Sequence, residues 1–427
     1  MTATTAERRV REFTTLARTT PGILGGFAVA LVAVALLAGA FSGLSVQSRA
    51  QALDDLATRS GPLSVAAQEI YRSLSDADAT ATGALLSGGL EPAETRKRYE
   101  DDIAQATTAL AIAVAAEEPA DITPGSALAT LSQQLPQYAG VVETARANNR
   151  QGLPVGGSYQ GEATHLLRAT LLPAAQELYR AEAGRVDTDQ DRAGAFPVVE
   201  LLLGLLVLGA LVAAQVVLRR RTNRVFNLGL LAATAAGLVW LVWTLTAGFV
   251  VMADVGDSRT QGSAQVDVLA QARISTLAAR ADETLTLVNP GNGKSYQDDY
   301  VTVSRKLGTL LATAGSLATS QDVQAKIDAA KADSTAWANA HDALRKADDG
   351  GDHGKAVALA LGDAGATFDR VDADLQGAIE QTRQAFSANV SAAEGALAGT
   401  VVGVSVLAVL VAVGSVAGIW RRLKEYR

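Results

Sequence analysis

An all-α membrane protein is the fold class the sequence predicts: four transmembrane helices and two tandem extracytoplasmic four-helix bundles continuous with the spans. Three observations predict it. Four apolar runs reach about 20 residues, the length a hydrocarbon core of roughly 30 Å requires at 1.5 Å rise per residue. The stretches between them repeat apolar residues every three or four positions rather than every second one. Basic residues also gather where the apolar runs end.

Taken in order, residues 1–21 form a tail with Arg8, Arg9, Arg11 and Arg18, and the first span covers 22–46. Further spans cover 196–218, 227–252 and 398–420. Arg219, Arg220, Arg221 and Arg224 lie in the loop 219–226, and Arg421, Arg422, Lys424 and Arg427 in the tail 421–427. Positive residues mark the cytoplasmic side, and an even number of spans allows all three clusters to lie there. The expected location is the cell (plasma) membrane with both termini cytoplasmic, leaving 47–195 and 253–397 outside. Ala38 and Ala40 make an A-x-A pattern. The run is long for a signal sequence, so an uncleaved anchor is expected.

Charge follows the same division. Residues 47–195 carry net −8 and residues 253–397 net −7, whereas the remainder carries +8. Within the first block Leu56, Leu63, Ala67, Ile70, Leu74, Ala77, Ala81 and Ala84 mark the seam of a packed helix. Breaks at "SGGLEP", "EEPADITPG" and "RQGLPVGGS" predict helices near 47–87, 92–117, 125–149 and 158–195. Breaks at "NPGNGK", 319–321 and "DDGGDHG" again leave four in the second block. The blocks read as a diverged repeat. "SRAQ" after the first span matches "SRTQ" after the third, Asp78 matches Asp282, and Tyr99 with Asp101 and Asp102 matches Tyr296 with Asp298 and Asp299. Pro62, Pro136 and Pro173 fall inside helices and are each expected to kink them.

Chemistry-bearing motifs are scarce. Cysteine is absent, which removes disulfides, thiol nucleophiles and Cys-ligated zinc. His165, His341 and His353 are scattered rather than spaced as metal ligands. "GNGKSY" lacks the spacing of a phosphate-wrapping loop, and "DDGGDHG" lacks the ligand pattern of a calcium loop. Adjacent carboxylates such as Asp101/Asp102 diverge by about 100° on a helix and read as solvated faces. No catalytic residue, metal or cofactor is expected, nor any enzymatic activity. A nucleic-acid partner is not expected either, because basic residues at a lipid surface have little freedom to track a duplex.

The candidate functional residues are of four kinds. Arg72 and Arg168 could hold a ligand carboxylate bidentately. Arg219, Arg220, Arg221 and Arg224 fix topology, touch the lipid bilayer and offer a cytoplasmic partner contact. Small residues four apart form three stripes for helix packing or homodimerisation: Ala35, Gly39, Gly43; Gly229, Ala233, Gly237; and Gly395, Gly399, Gly403. Glu200, the one acid inside a predicted span, either snorkels to the surface or acts as a buried intramembrane switch.

The stretch "PLSVAAQEIYRSLSDADATATGALLSGG" and the helices that run on into the spans resemble the four-helix-bundle sensor regions of bacterial chemoreceptors and sensor kinases. The methyl-accepting or kinase module of those proteins has no counterpart here. Over nearly the whole chain, the four spans, two helical blocks, short basic segments and Ala/Gly/Arg-rich, Cys-free composition resemble actinobacterial GlnX-like membrane proteins. That resemblance implies an extracytoplasmic solute-binding lipoprotein and a cytoplasmic serine/threonine kinase, protein kinase G, as partners. It also implies a relay of glutamate, aspartate or glutamine status into nitrogen metabolism. The leading expectation is a non-enzymatic transmembrane signalling adaptor. The alternatives are a direct small-molecule receptor with its ligand in a helical bundle, and a structural or transporter-associated scaffold. The near absence of midplane charge disfavours a transporter.

Overall fold

The computed structural model describes residues 20–86, 90–116, 123–222, 227–288 and 293–423. Among them every element is helical. In chain order the helices are α1 (Thr20–Asp55), α2 (Gly61–Leu86), α3 (Ala93–Ala116), α4 (Ala127–Arg150), α5 (Val155–Leu166), α6 (Leu172–Ala193) and α7 (Val198–Thr222). They continue as α8 (Leu228–Asp257), α9 (Ala264–Val288), α10 (Gly293–Leu317), α11 (Gln321–Asp349), α12 (His353–Leu359), α13 (Gly365–Leu397) and α14 (Thr400–Leu423).

Four π-helical turns interrupt this series: Leu56–Ser60, Leu167–Leu171, Ser258–Ser263 and Ala360–Ala364. Pro62 and Pro173 sit just behind the first two. A proline removes a donor and crowds the preceding turn, and a π turn widens that part of the helix. The Gly61 amide reaches back to the Leu56 carbonyl and the Leu172 amide to the Leu167 carbonyl. Pro136 lies inside α4. The second block has π turns without prolines, so proline alone does not specify them.

The chain divides into two compact units: 190–256 with the two terminal segments, and Asp55–Asp189 with Asp257–Val390. In the first, Leu31 and Ala35 of α1, Val207 and Leu211 of α7, Trp240 of α8 and Val411 of α14 share one core. The four long apolar helices are each of a length and composition to cross a membrane. Only 28–33% of their most apolar stretches is buried within the protein. Val29, Leu202, Leu228 and Val402 are at least 60% exposed. Apolar surface on this scale fits hydrocarbon rather than water.

Passage between these segments differs by direction. Helical structure runs from α1 to α2 and from α8 to α9 with only a π turn between. The return segments break. Pro197 follows Gly194 and Phe196 between α6 and α7, where proline restricts its predecessor to extended backbone. Between α13 and α14, Gly399 adopts φ +72°, a left-handed conformation that ends helices and suits glycine. Continuity with the spans, expected at both ends of each block, holds at the leading end alone.

In the second unit, Ile70 and Leu74 of α2, Leu110 of α3, Tyr138 of α4 and Leu171 of the π turn surround one core. Leu277 of α9, Leu311 of α10, Trp337 of α11 and Phe368 of α13 belong to a second. The two blocks are packed together as one unit, with α2 against α9. Burial also corrects the repeat register. Tyr99, Ala106, Leu110 and Ala113 are buried in α3, as are Tyr300, Leu307, Leu311 and Ala314 in α10. Tyr99 therefore corresponds to Tyr300, one helical turn beyond Tyr296. "SRTQ" lies in a π turn whereas "SRAQ" lies in unbroken α1, so those motifs are not structural equivalents.

Candidate functional site

The seam between α2 and α9 collects buried charge. Arg72 donates from Nε to Glu69 (3.0 Å) and from Nη2 to Ser73 (2.9 Å) and to Gln105, and it lies 3.7 Å from Asp76 and 4.0 Å from Asp102. Arg273 of α9 holds Asp372 of α13 bidentately, at 2.6 and 2.9 Å. Arg98 donates to Asp76 (2.9 Å) and approaches Asp369 of the other block (3.8 Å). Arg72 is thus occupied by acids of its own block.

Arg168, on its π turn, reaches Asp282 of α9 with 2.6 Å between Nη1 and Oδ1. It also binds an internal carboxylate, and it ties the blocks together. Asp78, aligned with Asp282 by sequence, is buried and accepts from Thr164 (2.8 Å) and Gln160 (3.4 Å). Further along the seam the Tyr179 hydroxyl donates to Asp267 (2.7 Å).

Burial governs the ionisation of these acids. Asp102 is pushed up to about 8 by burial and then by the neighbouring Asp76 carboxylate, against the opposing pull of Arg72 and Arg98. Asp282 is pushed up to about 6 by burial, with Arg168 drawing it back. Asp76 and Asp78 are raised by the same burial. Reading Asp102 as part of a solvated face is therefore corrected. Asp101, Asp298 and Asp299 are exposed, but Asp102 turns inward to the arginines.

Two cavities open on the seam. One of about 390 Å³ is lined by Glu69, Arg72, Arg273, Glu380 and Arg383. A larger one, about 720 Å³, adjoins it through the shared lining residues Gln68, Ala270, Ile274 and Arg383. Both are within the size range of small-molecule sites.

In the apolar unit Glu200 is buried with its carboxylate 3.7 Å from Nη2 of Arg49. That burial against Arg49 favours an enclosed polar residue over a snorkelling one. The stripes divide. A Cβ on Gly39 would strike Ala408, one on Gly229 would meet the Gly418 backbone, and one on Gly403 would enter the Trp243 ring. Ala35 and Ala233 are buried. Gly237 faces Leu208 and Leu211. Gly43 and Gly395 face open space, and Gly399 occupies the helix break rather than a stripe. Arg219 and Arg220 are exposed near the end of α7, and Arg221 belongs to the same helix. Arg224 lies outside the described residues.

Arg49, Arg273 and Arg383 escaped the sequence reading. For Arg273 the available signal was an arginine set among small and apolar residues, in "VLAQARISTLAA".

A helical unit with charged seam and cavities, entered through π turns by helices that run on from apolar ones, has the form of a membrane-associated sensor. Residues 52–191 match the family described as an actinobacterial sensor domain. That match covers the first block and supports a sensing or signalling role. No curated protein and no solved structure matches the chain.

Proposed function

We propose that the protein is a non-enzymatic transmembrane signalling adaptor. The four apolar helices cross the cell membrane with both termini and the 219–226 loop in the cytoplasm, and the two blocks stand outside as helical bundles. A solute-binding lipoprotein docks on the bundles and reports amino-acid status. A cytoplasmic serine/threonine kinase reads the response at Arg219, Arg220, Arg221 and Arg224. The observation that carries this reading is the helical continuity from α1 to α2 and from α8 to α9. A docking event that favours one of two packings at the seam shifts helices whose other ends are apolar spans.

Crosslinking in native membranes, followed by affinity purification and mass spectrometry, tests it. Wild type is expected to recover a lipoprotein and a kinase. A variant with Arg219, Arg220 and Arg221 changed to Gln is expected to keep the lipoprotein and lose the kinase. Equal kinase recovery from both proteins, with topology preserved, sinks the assignment of those arginines. The seam cavities favour a second reading, a receptor that binds its small molecule directly.

A further inference from the structure

Three arginines line the smaller seam cavity, and they are not equivalent. Arg72 is engaged by Glu69 and Arg273 by Asp372. Arg383 of α13 donates to the amide oxygen of Gln68 and, among the described residues, pairs with no carboxylate. Its Nε is buried without a hydrogen-bond partner, and so is Nε2 of Gln68. Glu380, one turn away, is exposed and accepts instead from Gln384 (2.9 Å).

Arg383 also lines the larger cavity, whose walls include Val65, Tyr71, Val266, Ile274 and Phe386. Of the other cations on that cavity, Arg180 and Lys306 are exposed, where solvent screens them, and Arg259 lies 3.9 Å from the Asp187 carboxylate. Burial makes the Arg383 guanidinium easier to deprotonate than usual, although the nearby Glu69 and Glu380 carboxylates oppose the shift and Arg273 adds to it. The junction therefore holds one partly buried cation without a directly paired carboxylate, beside an apolar wall.

We propose that Arg383 anchors the carboxylate of a small organic acid at the junction of the two cavities, with the acid's uncharged body against Val65, Ile274 and Phe386. A guanidinium matches a carboxylate with two parallel hydrogen bonds, which would satisfy the stranded Nε. Glu69 and Glu380 on the same cavity disfavour a second negative charge on the ligand. This inference rests on the receptor reading for its consequence, but not for the binding itself.

The test uses the full chain in lipid nanodiscs and follows binding by calorimetry. The probes are benzoate and hexanoate, their neutral amides benzamide and hexanamide, and inorganic phosphate. Each acid is expected to bind on the order of tenfold more tightly than its amide. Glu380→Gln is expected to tighten acid binding by about twofold to threefold by removing a nearby like charge. Arg383→Gln is expected to abolish the preference for acid over amide.

Equal binding of acids and amides, no binding of either acid, or binding of phosphate alone overturns the proposal. If Arg383→Gln does not fold, the comparison within wild type and Glu380→Gln still decides. Single cysteines at Thr58 and Thr260, followed by labelling rate, separate site from signal. Acid binding with unchanged labelling leaves the site standing and removes the receptor reading.

Discussion

Arg168 and Asp282 meet across the two blocks, 2.6 Å apart, with the aspartate side chain almost wholly buried and the arginine partly open to solvent. The pair is a fastening within one folded unit, formed by residues 114 positions apart in the chain.

Removing one partner leaves the other charge buried and uncompensated. Arg168→Gln is expected to destabilise the protein by about 2–4 kcal/mol, reduced from the fully buried case because Arg168 reaches water. Asp282→Asn should cost less, and the double variant should be no worse than Arg168→Gln alone. Thermal unfolding in mild detergent measures this, and strict additivity of the two single losses would contradict the pairing.

The raised carboxyls give stability a definite pH sign. An acid whose folded value lies above its unfolded one binds more protons when folded, so stability is greatest at low pH and falls as pH rises towards the folded value. For Asp282 the fall runs from about 4 to about 6, and for Asp102 it continues to about 8. Each group contributes at most about 1.4 kcal/mol per pH unit. Melting temperature is expected to decline from pH 6 to pH 8, and Asp102→Asn should flatten that decline. A wild-type profile that rises across this range would refute it.

Arg49 and Glu200 make the matching case in the apolar unit. Glu200→Gln strands Arg49 and is expected to cost about 2–4 kcal/mol. Replacing both residues with apolar ones of similar volume should recover most of that. Unfolding by denaturing detergent, compared among the three variants, reads the difference.

Close helix approach can be tested one glycine at a time. Gly229→Ala would press a methyl on the Gly418 backbone, which has no side chain to swing aside. A loss of about 1–3 kcal/mol is expected from overpacking. Gly43→Ala has open space and should be neutral or slightly stabilising. Equal effects at the two sites would show that the stripes do not act through packing.

Much of the fold was legible because its signals are local. Pro and Gly clusters bounded the helices of the first block at 47–87, 92–117 and 125–149, against observed ends at Leu86, Ala93–Ala116 and Ala127–Arg150. The four apolar helices likewise fall where uninterrupted apolar runs stand. What stayed hidden depends on meetings between distant segments. Nothing near Arg273 announces Asp372, and nothing near Arg49 announces Glu200. The mistaken alignment of Tyr99 with Tyr296 has a similar cause. Matching letters favoured the pair of aspartates, whereas the core selects the tyrosine one turn later. Of the candidate ligand arginines, Arg72 lies on a cavity wall but both it and Arg168 are paired with internal acids. Arg383 gave no sequence signal beyond being a charge on a helix.

A π turn holds one residue more than the α-helical turn it replaces, so the side chains beyond it point about 100° away from where a straight helix would aim them. The turns at Leu167–Leu171 and Ala360–Ala364 therefore change the azimuth of α6 and α13 relative to the helices that lead into them. A one-residue deletion there would restore α-helical phase while keeping composition nearly intact. In the second turn it would rotate the seam face of α13 by that angle, turning Asp372 and Arg383 away and bringing their neighbours round. The bulges act as angular offsets, set in whole-residue steps, that allow successive helices of the charged unit to present differently aimed faces to its seam.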